Sequence, residues 1–199
     1  MPVLDSKFFN RDTIEVAKDL LGKFLVRKIG SQKVALVINE TEAYDGYADK
    51  ASHAYHGLTE RNKIMFGQAG NFYVYLIYGT HFMLNVTTGP KDYPAAVLVR
   101  GGFTTTGEKN INGPGRVTKY LKIDKKFNGL SACPERLVLS FIEGGRGAKG
   151  KNNLWFEDSG IKVNCDNILA SKRVGVDYAG DSALKLYNFK IVSLASLKK

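Results

Sequence analysis

Cysteine is nearly absent: Cys133 and Cys165 are the only two in 199 residues, and they stand far apart. That spacing excludes a disulfide framework and a cysteine zinc site, and it points to free thiols in a reducing compartment. Histidine is also scarce. His53 and His56 lie three apart in a loop-like stretch without a third partner, and no His, Cys or carboxylate set has metal-ligand spacing. No nucleophile elbow occurs. Acidic residues are outnumbered, 19 Asp and Glu against 29 Lys and Arg, for a formal net charge of +10. Such an excess suits a polyanionic partner, nucleic acid or an acidic membrane surface. A long apolar run is missing too. The longest charge-free stretch, Ile64 to Pro90, is broken by Gly67, Gly70, Asn71, Gly79 and Asn85. It makes a poor membrane span and reads as sheet. The opening MPVLDSKFFNRD lacks the basic, apolar, small-residue order of a signal peptide. The expectation is an intracellular protein in the compartment of the genome (cytoplasm or nucleoid in a bacterium, nucleus in a eukaryote), without a membrane partner.

Apolar residues make up 44% of the chain, enough for one domain with a sizeable core. Asn10 or Asp12 can cap a helix to about Leu21, ended by Gly22. Lys23 to Ile29 reads as a strand, turned at Gly30-Ser31 into a second strand from Val34. Tyr44 to Asn62 reads as a long loop, of a length that is often functional. Phe72 to Tyr78 reads as a central strand, and His81 to Val86 as its return. Ala95 to Val99 reads as a further strand closed by Arg100, and residues 101 to 112 as a polar linker. Gly113-Pro114-Gly115 opens a short helix, where Arg116 and Lys119 would suit a DNA phosphate. Strands are expected at Leu137 to Glu143, Ile161 to Asn164, Arg173 to Asp177 and Leu186 to Val192. Gly145 to Lys151 fits G-x-x-x-x-G-K. Asn152 then stands where a hydroxyl should meet magnesium, and a strand-like LWFE follows where a helix is required. A basic loop is the better reading.

The informative stretch is VALVINETEAY, Val34 to Tyr44. In an extended chain Val34, Leu36, Ile38, Glu40, Glu42 and Tyr44 share one face. The change from apolar to acidic along that face marks a core meeting a cleft. Partial desolvation of Glu42 beside an aromatic ring would make it a usable general base. Surface glutamates at a strand end are the plain alternative. Tyr78, at a hairpin tip beside Gly79, is a poor core residue and a plausible wedge between stacked bases. A carboxylate, several tyrosines, histidine and a basic surface suit hydrolysis of an N-glycosidic bond on a flipped base, with no metal and no cofactor.

Eight segments carry a resemblance: NETEAY, ASHAYHG, TERNKIMF, GNFYVYLIYGTHFMLNV, AAVLVR, NGPGRVTKYLKI, LWFED and SKRVGVDYAGD. In this order and spacing the chain resembles the alkyladenine (3-methyladenine) DNA glycosylase family. The resemblance implies an α+β fold: a single mixed domain with a curved antiparallel sheet, peripheral helices and a protruding hairpin. It implies a monomer without metal, cofactor or obligate protein partner, acting on double-stranded DNA that contains damaged purines. It makes Glu42 the base for the attacking water, with Arg100 and the Val174 carbonyl as further contacts. Tyr44, His53 and Tyr75 become base-pocket walls, Asn85 the residue that excludes guanine, and Tyr78 the intercalating side chain. Residues 131 to 153 depart from the family as a basic insertion with Arg146, Lys149 and Lys151. Two rival readings remain at this stage. One is a non-catalytic binder of damaged or single-stranded nucleic acid. The other is a sugar glycosidase using Glu40 and Glu42 as an inverting pair.

Overall fold

The computed structural model describes residues 1–133 and 153–192. Two short helices open the chain, α1 (Ser6–Phe9) and α2 (Thr13–Asp19). Asp12 caps α2, its carboxylate accepting from the amides of Ile14 and Glu15. The strands are β1 (Phe24–Ile29), β2 (Gln32–Tyr44), β3 (Phe72–Ile77), β4 (His81–Thr87), β5 (Ala96–Thr104), β6 (Asn110–Asn112), β7 (Leu154–Glu157), β8 (Ile168–Ser171) and β9 (Asn188–Ile191), with α3 (Pro114–Tyr120) after β6. All pairings among the described residues are antiparallel, in the order β3-β4-β5-β2-β1-β7, with β6 on β5 and β9 between β2 and β8. The result is the expected α+β domain with a curled sheet and peripheral helices.

β2 organises the sheet. Its first half pairs with β1, and its second half lies between β5 and β9. A double irregularity divides the halves. Ile38 faces Gly102 and Glu40 faces Gly101, so Asn39 is extra on β2; Thr41 then faces Val99, so Arg100 is extra on β5. One inserted residue exchanges the two faces of a strand. Before Asn39 the even residues Leu36 and Ile38 enter the main core. After it the odd residues do: Ala43 joins the core and the Thr41 hydroxyl donates to the Ala17 carbonyl. Glu40, Glu42 and Tyr44 are thereby turned to the opposite side of the sheet. The single face expected from period-two alternation is therefore two faces joined by a bulge. Gly101 permits it, since a Cβ there would meet Asn39 Oδ1 at 2.6 Å.

Other expectations need correction. β3 lies at the end of the strand order, not in the centre. Its apolar character comes from a cover: Phe72 and Gly129–Leu130 exchange backbone hydrogen bonds, and Asn128 Oδ1 accepts from the Val74 amide. Arg100 does not close β5, which runs on to Thr104 and pairs with β6, so residues 101–112 form a hairpin rather than a linker. Residues 161–164 and 173–177 contain no strand; an unexpected strand forms at β8, and the strand expected at Leu186 to Val192 forms as β9. The expected strand at 137–143, the phosphate-loop-like run and most of the basic insertion, with Arg146, Lys149 and Lys151, lie outside the described residues.

Candidate active site

A cavity of about 280 Å³ opens on the side of the sheet away from the main core. Strand alternation builds its floor. Tyr73 and Tyr75 of β3, Met83 and Asn85 of β4, and Leu98 and Arg100 of β5 line it. The residues between them, Val74, Leu84, Val86, Val97 and Val99, enter the core. Cross-strand register places these linings side by side: Tyr73 faces Asn85, Tyr75 faces Met83, and Leu98 faces both Asn85 and Glu42. The rim comes from the loop after β2, with Ala51, His53 and Arg61, and from residues 174–178.

The loop is held by its own polar residues. Asn62 Nδ2 donates to the carbonyls of His53 and Gly57 at 2.9 and 2.8 Å, which fixes His53 over the sheet. His53 meets Tyr75 edge-on, ring centres 4.6 Å apart, and its Nδ1 is 3.0 Å from the Tyr73 hydroxyl. Burial, then the nearby Arg61 guanidinium, push His53 down to about 4, so its ring is neutral at pH 7. Burial pushes Tyr73 up to about 12 and Tyr75 higher still. Asn85 donates through Nδ2 to the Tyr73 carbonyl at 3.1 Å.

Glu42 lies behind this wall. Its side chain is 0% exposed, and its two oxygens receive four donors. Oε1 accepts from the Val174 amide at 2.8 Å and Asn188 Nδ2 at 3.1 Å; Oε2 accepts from the Tyr44 hydroxyl at 2.9 Å and Arg100 Nη1 at 3.3 Å. Such bonds to the charged form stabilise a buried carboxylate. Burial first, and then the adjacent Glu42, push the Tyr44 hydroxyl well above its usual pKa, so it remains a donor. Tyr44, Arg100 and Val174 all line the cavity, so the carboxylate is one side chain removed from it.

The segment that brings Val174 is pinned by Arg173. This guanidinium is fully buried, binds both oxygens of Asp49, and donates to the carbonyls of Ala43 and Ser182. It also stacks 4.9 Å from the centre of the Tyr44 ring and 5.3 Å from that of Tyr187. The chain thus locks Tyr44 from behind before presenting the next amide to Glu42.

At the mouth, Tyr78 is 89% exposed at the tip of the β3–β4 hairpin, with φ of 51°. α3 abuts this hairpin so closely that a Cβ at Gly115 would lie 3.1 Å from His81. Arg116 and Lys119 are exposed on α3. Among the described residues no group of three or more His, Cys, Asp or Glu could hold a metal ion, and no helix is long and apolar enough to cross a membrane.

The profile of the family described as methylpurine-DNA glycosylase matches residues 7–193. This chain belongs to that family. A protein of Methanocella arvoryzae named "Putative 3-methyladenine DNA glycosylase" is 41% identical over 203 residues, covering 95% of this chain and 92% of its own. Proteins of the same name from Borreliella burgdorferi and Clostridium novyi are 40% and 37% identical, with at least 94% of each chain covered. Membership places the chain among DNA glycosylases, hydrolases of N-glycosyl bonds in DNA repair.

Within this methylpurine-DNA glycosylase fold, Tyr44, His53, Tyr75, Asn85, Arg100, Val174 and Tyr78 all border one cavity. Two details differ from the sequence reading, and one is added. Glu42 is wholly rather than partly desolvated. The Val174 N–H binds Glu42 itself, a contact beyond the one expected of its carbonyl with the water. Glu40 is not on the cavity wall, and it shares the donors Arg100 and Asn188 with Glu42, which does not suit an inverting sugar-cleaving pair. Sequence reasoning missed Tyr73, Arg61, Arg173 and Asn188. Tyr73 could have been found as the period-two partner of Tyr75. Arg61 lies over the Tyr75 ring, and Arg173 and Asn188 come from distant segments that no local pattern connects to Glu42.

Proposed function

We propose that this protein is a monofunctional purine DNA glycosylase acting on alkylated or deaminated purines such as 3-methyladenine, hypoxanthine and etheno-adenine. The observation that carries the reading is the ionic cluster around Glu42, set directly behind an aromatic cavity near a protruding tyrosine. The basic surface holds duplex DNA, with Arg116 and Lys119 on phosphates. The damaged nucleotide turns out of the stack and Tyr78 fills its place, offsetting part of an extrusion cost of a few kcal/mol. Tyr44, His53 and Tyr75 hold the extruded base, and Asn85 selects against the 2-amino group of guanine. Water attacks C1′, its proton passing to Glu42, while the C1′–N bond breaks and its electrons leave with the purine. Because Glu42 is sealed, the water takes the place of one of its four donors on arrival. No lysine lines the cavity among the described residues. That supports water, rather than an amine, as nucleophile, and a product that is an intact abasic strand. The enzyme works as a monomer, without metal or cofactor, wherever the genome is.

The test is single-turnover excision on a lesion panel of hypoxanthine, 3-methyladenine, 7-methylguanine and etheno-adenine duplexes. Wild-type protein releases free purine and leaves an abasic site. Glu42→Gln binds lesion DNA but loses about 10³-fold or more in rate, within the range of a positioned base. Near-normal excision by that variant would reject Glu42 as the base.

A further inference from the structure

Methylpurine excision uses one carboxylate, yet the structure buries a second beside it. Glu40 is 7% exposed and does not line the cavity. Its Oε1 accepts from Arg100 Nε at 3.1 Å and Asn188 Nδ2 at 3.0 Å, and Lys190 Nζ lies 3.6 Å from Oε2. The same guanidinium and the same amide nitrogen are those that bind Glu42, at 3.3 and 3.1 Å. We propose that Glu40 is a positioning residue: its carboxylate orients Arg100 and Asn188, and through them sets the placement and charge environment of Glu42. This inference rests on the reading of Glu42 as the base.

Three arguments support it. Arg100 is the extra residue on β5 at the irregularity, so no opposing β2 residue fixes it in the ladder. Its Nε bond to Glu40 is what turns Nη1 towards Glu42. Asn188 lies on β9, opposite Glu42, and a single NH2 group reaches both acids. A second buried carboxylate is costly to desolvate, and a lone Arg100–Glu42 pair would already neutralise the base. Burial pushes the Glu40 carboxyl up, but Asn188, Arg100 and Lys190 outweigh it and hold the group below its usual range. Its negative charge is therefore present throughout the working pH range. Tyr44 on β2, Tyr75 on β3, Arg100 on β5, Lys190 on β9 and Arg173 are the other titratable or charged groups facing the pair.

The test is the pH–rate profile of single-turnover excision for wild type, Glu40→Gln and Asn188→Leu. A like charge disfavours ionisation of a neighbouring acid. Glu40→Gln removes that charge, so the acid limb moves at least about half a unit to lower pH and the plateau falls about tenfold. Asn188→Leu keeps both charges but removes a donor from the ionised form, so the limb moves to higher pH. A merely structural role would lower thermal stability in both variants and leave the limb in place, and that result overturns the proposal. Infrared titration of the carboxylate bands, with Glu42→Gln as reference, reads the same two shifts without any reaction. Excision by no protein, with the infrared shifts present, would reject the glycosylase reading and keep this one.

Discussion

The Tyr44 hydroxyl donates to Oε2 of Glu42, two residues earlier on the same strand, at 2.9 Å. One side chain thus walls the cavity with its ring and closes the carboxylate with its oxygen. Tyr44→Phe keeps the wall and vacates one of the four donor positions. If water displaces that hydroxyl during catalysis, the variant excises within about tenfold of wild type. A loss as deep as that of Glu42→Gln would instead place the hydroxyl in the proton path. Single-turnover rates on a hypoxanthine duplex separate the outcomes.

Tyr78 has no burial to lose in the free protein, so its removal should act on DNA alone. Tyr78→Ala is expected to melt within 1 °C or so of wild type, the usual outcome at an exposed site. It should reduce the extruded fraction of a fluorescent reporter base beside the lesion. Unchanged fluorescence would remove the wedge.

His53 is held down to about 4 against an ordinary value of 6.5 for a free imidazole, which ties stability to pH. Between these values the unfolded chain binds the extra proton, so stability falls as pH drops through 6.5 towards 4 and levels below. His53→Gln should lose less stability over that window, by on the order of 2 kcal/mol at most given the partial exposure of the ring. Denaturant unfolding at pH 7.5 and 4.5 reads the difference. The excision profile should likewise show no break near 6.5 from this ring.

The Arg173–Asp49 pair is buried on both sides. Asp49→Asn leaves a cation with a weakened partner, and removing one member of such a pair costs about 3–5 kcal/mol. For a domain near 200 residues that is a fall of about 10 °C in Tm. Because the next residue caps Glu42, the excision rate should fall too, measured at a temperature where the variant remains folded.

The sequence made the site legible through motifs in family order and through turn chemistry. The resemblance carried by FYVYLIYGTHFMLNV assigned Tyr75 and Asn85 to one pocket, and the glycine at 79 placed Tyr78 at a hairpin tip. The cap at Asp12 and the proline at 114 announced their helices. What stayed hidden was long-range. Asn188 and Val174 reach Glu42 across more than 130 positions of chain, and nothing local in LYNFKI or SKRVGV shows it. The edge position of β3 was concealed because a covering segment makes an edge strand look central. The phase change in β2 was concealed because a bulge leaves no mark on composition.

That phase change gives residue 39 a role independent of its side chain. It is the bulged residue, and its exclusion from the ladder decides which side of the sheet the acids inhabit. Replacing Asn39 by serine should leave the acids where they are, and so should deleting it, because Ile38 and Glu40 would then alternate without a bulge. Pairing residue 39 into the ladder would instead rotate them under the sheet, against Ala17, and deliver Thr41 and Ala43 to the cavity side. The enzyme would then keep every residue named above and still be inert.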